Sequence, residues 1–161
     1  MVIKIISGGQ TGGDIGGLLA GAELGLQTGG TAPKGFRTDS GLNPELANYG
    51  LVEHTSSSYR PRTIENVRNS DGTVLFGNVS SPGCKLTILT CIKLQKPYMT
   101  NPSKLELIGW IDKKFIKILN VAGNRESSYT GLQEKVKNFL TNVLTSKEYI
   151  EIFHLNKNKE K

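Results

Sequence analysis

Cysteine is scarce in this chain. Cys84 and Cys91 are the two among 161 residues, too few to staple a domain of this size. His54 and His154 stand at no metal-ligand spacing from them, so a structural metal site is not expected. Long apolar runs are missing too: nothing approaches the roughly 20 residues a membrane helix needs. The N-terminus lacks the basic stretch and apolar core of a secretion signal, so a cytoplasmic protein with reduced thiols and no membrane partner is expected. Aromatics make up 7% of residues and do not interleave with basic residues as single-strand binders require. Nucleic acid is therefore not an expected partner, although the formal charge is +6. Much of that charge sits in "NKNKEK" and "IDKKFIK", which read as a solvated tail and face.

Glycine, in contrast, is abundant at 19 residues. Six of them fall between Gly8 and Gly17, in "SGGQTGGDIGG", directly after the apolar "VIKII". Glycine weakens helix and strand alike, so such density calls for a return. One return is a backbone that approaches a ligand closely, with N–H groups facing an anion at a helix N-terminus. Another is a tight turn with close helix packing. The loop is neither a P-loop, since no Gly-Lys-Ser/Thr follows, nor a clean dinucleotide fingerprint.

The pattern after that loop alternates. "VIKII" predicts a strand over 2–6, and "DIGGLLAGAELGL" a helix over 14–26, with Asp14 as its cap or as a charge complementing its N-terminal end. "QTGGTAPKGFRTDSG" predicts a short strand and a long loop, and "LVEHT" another strand. "RPRTIENVRNSD" predicts a helix with Pro61 in its first turn. Then come a strand in "GTVLFGNV", a helix from "SPGCKLTILTCIKLQ", a strand in "KPYMTN", a helix in "SKLELIGWIDK", a strand in "KILNVAG", and a final helix within "GLQEKVKNFLTNVLTS". Strands alternating with helices along the whole length predict one α/β domain over 1–147: a Rossmann-like parallel sheet with helices on both faces. Residues 148–161 form a basic, partly ordered tail. Ligands of such sheets sit beyond the carboxyl ends of the strands, which should bring "SGGQTGGD", "GNVSSPGCK" and "AGNRESS" to one edge.

Those loops supply the candidate ligand-binding residues. The first gives Gly8, Gly9, Gln10, Thr11, Gly12 and Asp14. The second gives Ser80, Ser81, Gly83 and Cys84, with no histidine nearby to make Cys84 a nucleophile. The third gives Gly123, Arg125, Glu126 and Ser127, where the arginine fork suits phosphate and Glu126 can accept from ribose hydroxyls or orient the arginine. Lys34 and Arg37 in "PKGFR", and Arg62 and Arg68 in "RTIENVR", add cations. Asp39 and Glu45 receive no role.

In this order, "SGGQTGGD", "PKGFRTDSG", "ENVRNSDGTVLF", "SPGCKLT" and "NVAGNRES" resemble the molybdenum-carrier family, within the wider superfamily of LONELY GUY-type, lysine-decarboxylase-like Rossmannoid proteins. The resemblance covers about residues 3–140. It implies a lysine-decarboxylase-like fold, a homo-oligomer (dimer or tetramer), and a nucleotide-like or pterin-phosphate ligand over the glycine loops. It also implies the molybdenum cofactor as a carried ligand, with no intrinsic cofactor. LONELY GUY-type enzymes cleave the N-glycosidic bond of nucleotide monophosphates with an arginine and the glutamate of a Gly-Gly-x-Gly-Thr-x-x-Glu pattern. Arg62 or Arg68 would correspond to the arginine, but Thr87 stands where the glutamate belongs. A hydroxyl supplies no carboxylate for that chemistry, so binding a small phosphorylated ligand without turnover is expected. The alternatives are a nucleotide phosphoribohydrolase with an altered acid, and sequestration of a nucleotide-derived immune signal.

Overall fold

The structure, a computed structural model, describes residues 1–157. Its centre is a six-stranded parallel sheet made by β1 (Lys4–Ile6), β2 (Gln27–Ala32), β5 (Leu51–Glu53), β6 (Gly72–Phe76), β7 (Tyr98–Thr100) and β8 (Ile118–Gly123), in the order β5-β2-β1-β8-β6-β7. The register pairs Ile5 with Thr28 on one side and with Leu119 on the other. A small antiparallel hairpin, β3 (Arg37–Thr38) and β4 (Gly41–Leu42), stands apart from it. This is the α/β, Rossmann-like architecture that the alternation predicts.

Among the described residues six α-helices surround the sheet: α1 (Gly13–Glu23), α2 (Tyr59–Arg68), α3 (Pro82–Lys93), α4 (Lys104–Lys113), α5 (Leu132–Leu144) and α6 (Lys147–Lys157). α1 packs on α5, α4 on α5 and α6, and α2 on α3. Right-handed crossovers account for this division. Moving outward from β1 to β2 puts α1 on one face, and moving the opposite way through β6 and β7 puts α2 and α3 on the other. The strands carry apolar residues on both faces, as a covered parallel sheet demands: Ile5, Val74, Leu75, Leu119 and Val121 have no exposed surface. Each such side chain contributes roughly 1.5–3 kcal/mol on burial.

Several local expectations are corrected. Asp14 is not the cap of α1; Gly12 holds that position, and Asp14 lies in the first turn with its side chain buried. The expected loop in "PKGFRTDSG" holds a 3-10 turn, Lys34–Phe36, and the β3–β4 hairpin; beyond it, Pro44–Tyr49 forms a further 3-10 turn that buries Leu46 against Leu18 and Leu51. Of the stretch expected as a tail, 148–157 belongs to α6, where buried Tyr149 accepts the N–H of Val2 at 2.7 Å. The apolar spacing of Tyr149, Ile152 and Phe153 against the core, hidden in a lysine-rich setting, explains that helix. The last part of the expected tail, 158–161, lies outside the described residues. None of the helices among the described residues is long and apolar enough to cross a membrane.

Candidate functional site

β1 and β8 lie side by side at the point where the chain turns to opposite edges of the sheet, the place where ligands of this architecture bind. The loops following them meet directly. Gly13 donates its N–H to the carbonyl of Asn124 at 3.1 Å, and Glu126 donates its N–H to Thr11 Oγ1 at 3.2 Å. Asn124 also joins the loop after β6: its Nδ2 donates to Ser81 Oγ at 2.9 Å and to the carbonyl of Asn78 at 3.1 Å. The three loops therefore share one edge, and a cavity of about 480 Å³ opens among them. Its floor is Gln10, Asp14 and Ala122–Arg125, one wall is Tyr59, Arg62 and Thr63 of α2, and the other is the first two turns of α3 from Ser81 to Thr87.

Asp14 and Arg62 form the buried pair at the bottom, 3.5 Å apart. Burial pushes the Asp14 carboxyl up, against the opposing pull of the Arg62 guanidinium and the N–H groups of Gln10 and Gly8. This carboxylate occupies the anion position of the glycine loop. Two further donors of the loop are engaged as well: Gly9 N–H reaches Ser7 Oγ at 3.3 Å, and Thr11 N–H reaches Gln10 Oε1 at 3.0 Å. Glycine serves close approach here rather than a row of bare N–H groups. Gly12 adopts φ +82°, and a Cβ on it would fall 2.2 Å from the carbonyl oxygen of Asn124.

Of the residues picked out from sequence, Gln10, Asp14, Arg62, Ser81, Gly83, Cys84, Gly123 and Arg125 line the cavity. Gly8 lies just beneath, beside Arg62. Gly9, Thr11 and Gly12 build the loop without facing the cavity, and Ser80 and Lys34 are exposed away from its lining. Arg68 points elsewhere and pairs with Glu65 on the outside of α2. Six positions at 3.6 residues per turn turn it about 120° from Arg62. Glu126 is committed to α5, accepting the N–H of Gly131 on Oε1 and that of Gln133 on Oε2 at 3.0 Å. It therefore neither lines the cavity nor holds Arg125. Ser127 donates to Asp39 Oδ2 at 2.7 Å. Cys84 is buried, and that burial pushes its thiol up, with Asp14 adding to the effect against a hydrogen bond from Ser81; a thiol held so is a poor nucleophile.

Sequence reasoning missed two residues that organise this edge. Tyr59 lines the cavity and carries three guanidinium groups over its ring, with the Cζ atoms of Arg37, Arg125 and Arg62 at 5.0, 5.2 and 5.6 Å from its centroid. Its one visible signal was an aromatic next to basic residues in "YRPR". Asp39 sits on the β3–β4 hairpin and accepts from Thr11 Oγ1 at 2.6 Å as well as from Ser127, tying hairpin, first loop and third loop together. Partial burial raises its carboxyl, but the hydroxyl donors and the nearby Arg125 outweigh this and hold it below the usual range. Among the described residues no group of three or more His, Cys, Asp or Glu could hold a metal ion.

Comparisons with known proteins agree with this arrangement. None of the curated proteins matches the chain. Among solved structures, the crystal structure of a protein named "putative molybdenum carrier protein", from Syntrophus aciditrophicus SB, superposes with a TM-score of 0.81. It shares 30% sequence identity over 90% of this chain and 96% of its own. The family model described as the circularly permutated YpsA SLOG family matches residues 5–144. With the glycine loop, the cavity and all of the sheet but Lys4 inside that span, the chain belongs to the circularly permutated YpsA SLOG family.

Proposed function

We propose that this protein binds a phosphorylated, nucleotide-like small molecule, the molybdenum cofactor or a related pterin or nucleotide, in the cavity between the loops after β1, β6 and β8, and does not turn it over. The observation that carries the reading is the charge of the cavity. Arg62 and Arg125 line it, and Arg37 stands on the ring of Tyr59 at its edge. The carboxylate among its lining residues, Asp14, is already held by Arg62 and by backbone N–H groups. Guanidinium forks suit phosphate, and the cavity volume falls in the range of small-molecule sites, about 300–1,000 Å³.

The absence of turnover rests on Thr87 and Glu126. Thr87 Oγ1 donates back to the carbonyl of Gly83 at 3.1 Å, and Glu126 serves α5 instead of the cavity. Cleavage of an N-glycosidic bond needs a carboxylate beside the sugar to steady positive charge or to activate water, and neither residue supplies it. A molybdenum-bearing cargo would be held here by its phosphate and ring, since among the described residues no group of three or more His, Cys, Asp or Glu could ligate the metal. The family resemblance further suggests a homo-oligomer, which light scattering in solution tests, and a cytoplasmic location is proposed with it.

Calorimetric titration with nucleoside 5′-monophosphates, followed by chromatography of the same samples, tests the proposal. Heat of binding without release of free base is the expected result. Base release would favour a second reading, hydrolysis served by Asp14, the carboxyl among the cavity's lining residues; Asp14→Asn would then abolish release.

A further inference from the structure

The cationic end of the cavity is organised around one ring. Arg37 comes from the hairpin strand β3, Arg62 from α2 and Arg125 from the loop after β8, yet all three guanidinium groups lie over Tyr59. Like charges repel, so their convergence needs compensation, and the negative face of an aromatic ring provides part of it. Asp14 matches Arg62. Among the described residues no carboxylate lies within 4.0 Å of Arg37 or Arg125. Arg37 donates to the carbonyl of Ser57 at 3.2 Å, and Asp39 spends its oxygens on the hydroxyls of Thr11 and Ser127. In addition, Nε of Arg62 is buried without an acceptor among the described residues.

Two guanidinium groups without an ion pair, Arg125 having only the longer-range attraction of Asp39, suit a partner rich in acceptors that carries two negative charges. A phosphate monoester has about −1.5 to −2 charge at neutral pH and three free oxygens, whereas a phosphodiester carries a single charge. Building on the reading that this cavity binds a phosphorylated small molecule, we infer that Tyr59 is a positioning residue that gathers Arg37, Arg62 and Arg125 into a subsite for the dianionic phosphate of a monoester. The ring face does the gathering, so the phenol hydroxyl is dispensable. Cyclic nucleotides and other diesters are disfavoured.

Methyl phosphate and dimethyl phosphate isolate this subsite from the rest of any ligand. Titrated into the full chain at neutral pH, with the arginine Nε–Hε signals followed by NMR, methyl phosphate should bind about tenfold more tightly than dimethyl phosphate. Tyr59→Phe should keep that ratio. Tyr59→Leu, shown folded by its thermal transition, should weaken methyl phosphate by about tenfold and bring the ratio towards one. Should Tyr59→Leu not fold, Arg37→Gln on the exposed hairpin must lower the ratio instead. Equal binding of the two anions, no response to methyl phosphate, or an unchanged ratio in the folded variant overturns the inference. Nucleotides binding normally in that case leaves the proposed function standing. Methyl phosphate behaving as expected while no nucleotide or pterin phosphate binds overturns the ligand class instead.

Discussion

A Cβ on Gly8 would lie 2.1 Å from Nη1 of Arg62. The side chain that one residue lacks is the seat of the other's guanidinium. The opening glycines thus serve the cavity indirectly, by letting an arginine from α2 lie against the loop after β1 and reach Asp14.

Gly8→Ala should therefore affect binding as well as folding. The atom in the way is the far end of a flexible side chain, which can swing aside, but doing so leaves the buried Asp14 carboxylate without its partner, so stability should fall by about 1–3 kcal/mol. Nucleotide affinity should fall about tenfold as Arg62 leaves its place. Gly12→Ala meets the backbone oxygen of Asn124 at 2.2 Å with φ at +82°, and should cost at least about 2 kcal/mol. Denaturant unfolding beside calorimetry separates the two cases.

The two candidate cations at opposite ends of the argument for phosphate should also part company. Arg125→Ala should weaken nucleotide binding by about tenfold or more, as the loss of a charge-assisted hydrogen bond does. Arg68→Ala, which removes a half-exposed pair with Glu65 on the outside of α2, should leave binding unchanged and shift stability by less than about 1 kcal/mol. Titration of both variants with the same nucleotide decides the matter.

Glu126→Ala should behave as a lost helix cap. The carboxylate accepts from the N–H groups of Gly131 and Gln133 at the start of α5, so stability should fall by about 1 kcal/mol, or roughly 3 °C in a protein of this size. Nucleotide affinity should stay within twofold. A full loss of binding in a folded variant would instead put Glu126 at the ligand.

Asp39 gives a pH signature. Its carboxyl is held below the usual 3.8 in the folded chain, so the native state prefers it ionised. The stability it contributes is present above that ordinary value and is lost as the pH falls through the lower folded value. The difference in Tm between wild type and Asp39→Asn should be widest at neutral pH and should close in acid. A gap that widens with acid would contradict the tie to Thr11 and Ser127.

Much of the fold was legible because the apolar runs of "GTVLFG" and "KILNVAG" alternate with helix-length segments, and a parallel sheet needs that alternation. The shared edge of the three glycine loops followed from the same topology, as did Gln10, Ser81, Gly83, Gly123 and Arg125 as cavity lining. What stayed hidden depends on distance along the chain. Nothing local to Glu126 says that its carboxylate folds forward onto α5, and nothing local to Tyr59 says that arginines 22 positions before and 66 positions after it meet there. Asp39 sits in a turn-like "RTDSG" whose hydroxyl partners, Thr11 and Ser127, lie 28 and 88 residues away. Helix α6 was masked by its lysines, because the apolar residues that bind it to the core are few.

The central claim, that the cavity holds a phosphorylated small molecule without consuming it, is tested most directly by native mass spectrometry of the freshly purified chain, incubated with and without nucleoside 5′-monophosphates and pterin phosphates. A bound mass that is released intact on denaturation, carries a phosphate, and disappears in Arg125→Ala is the expected result. A chain that stays at its own mass with every ligand, or one that returns free base in place of the nucleotide, contradicts it.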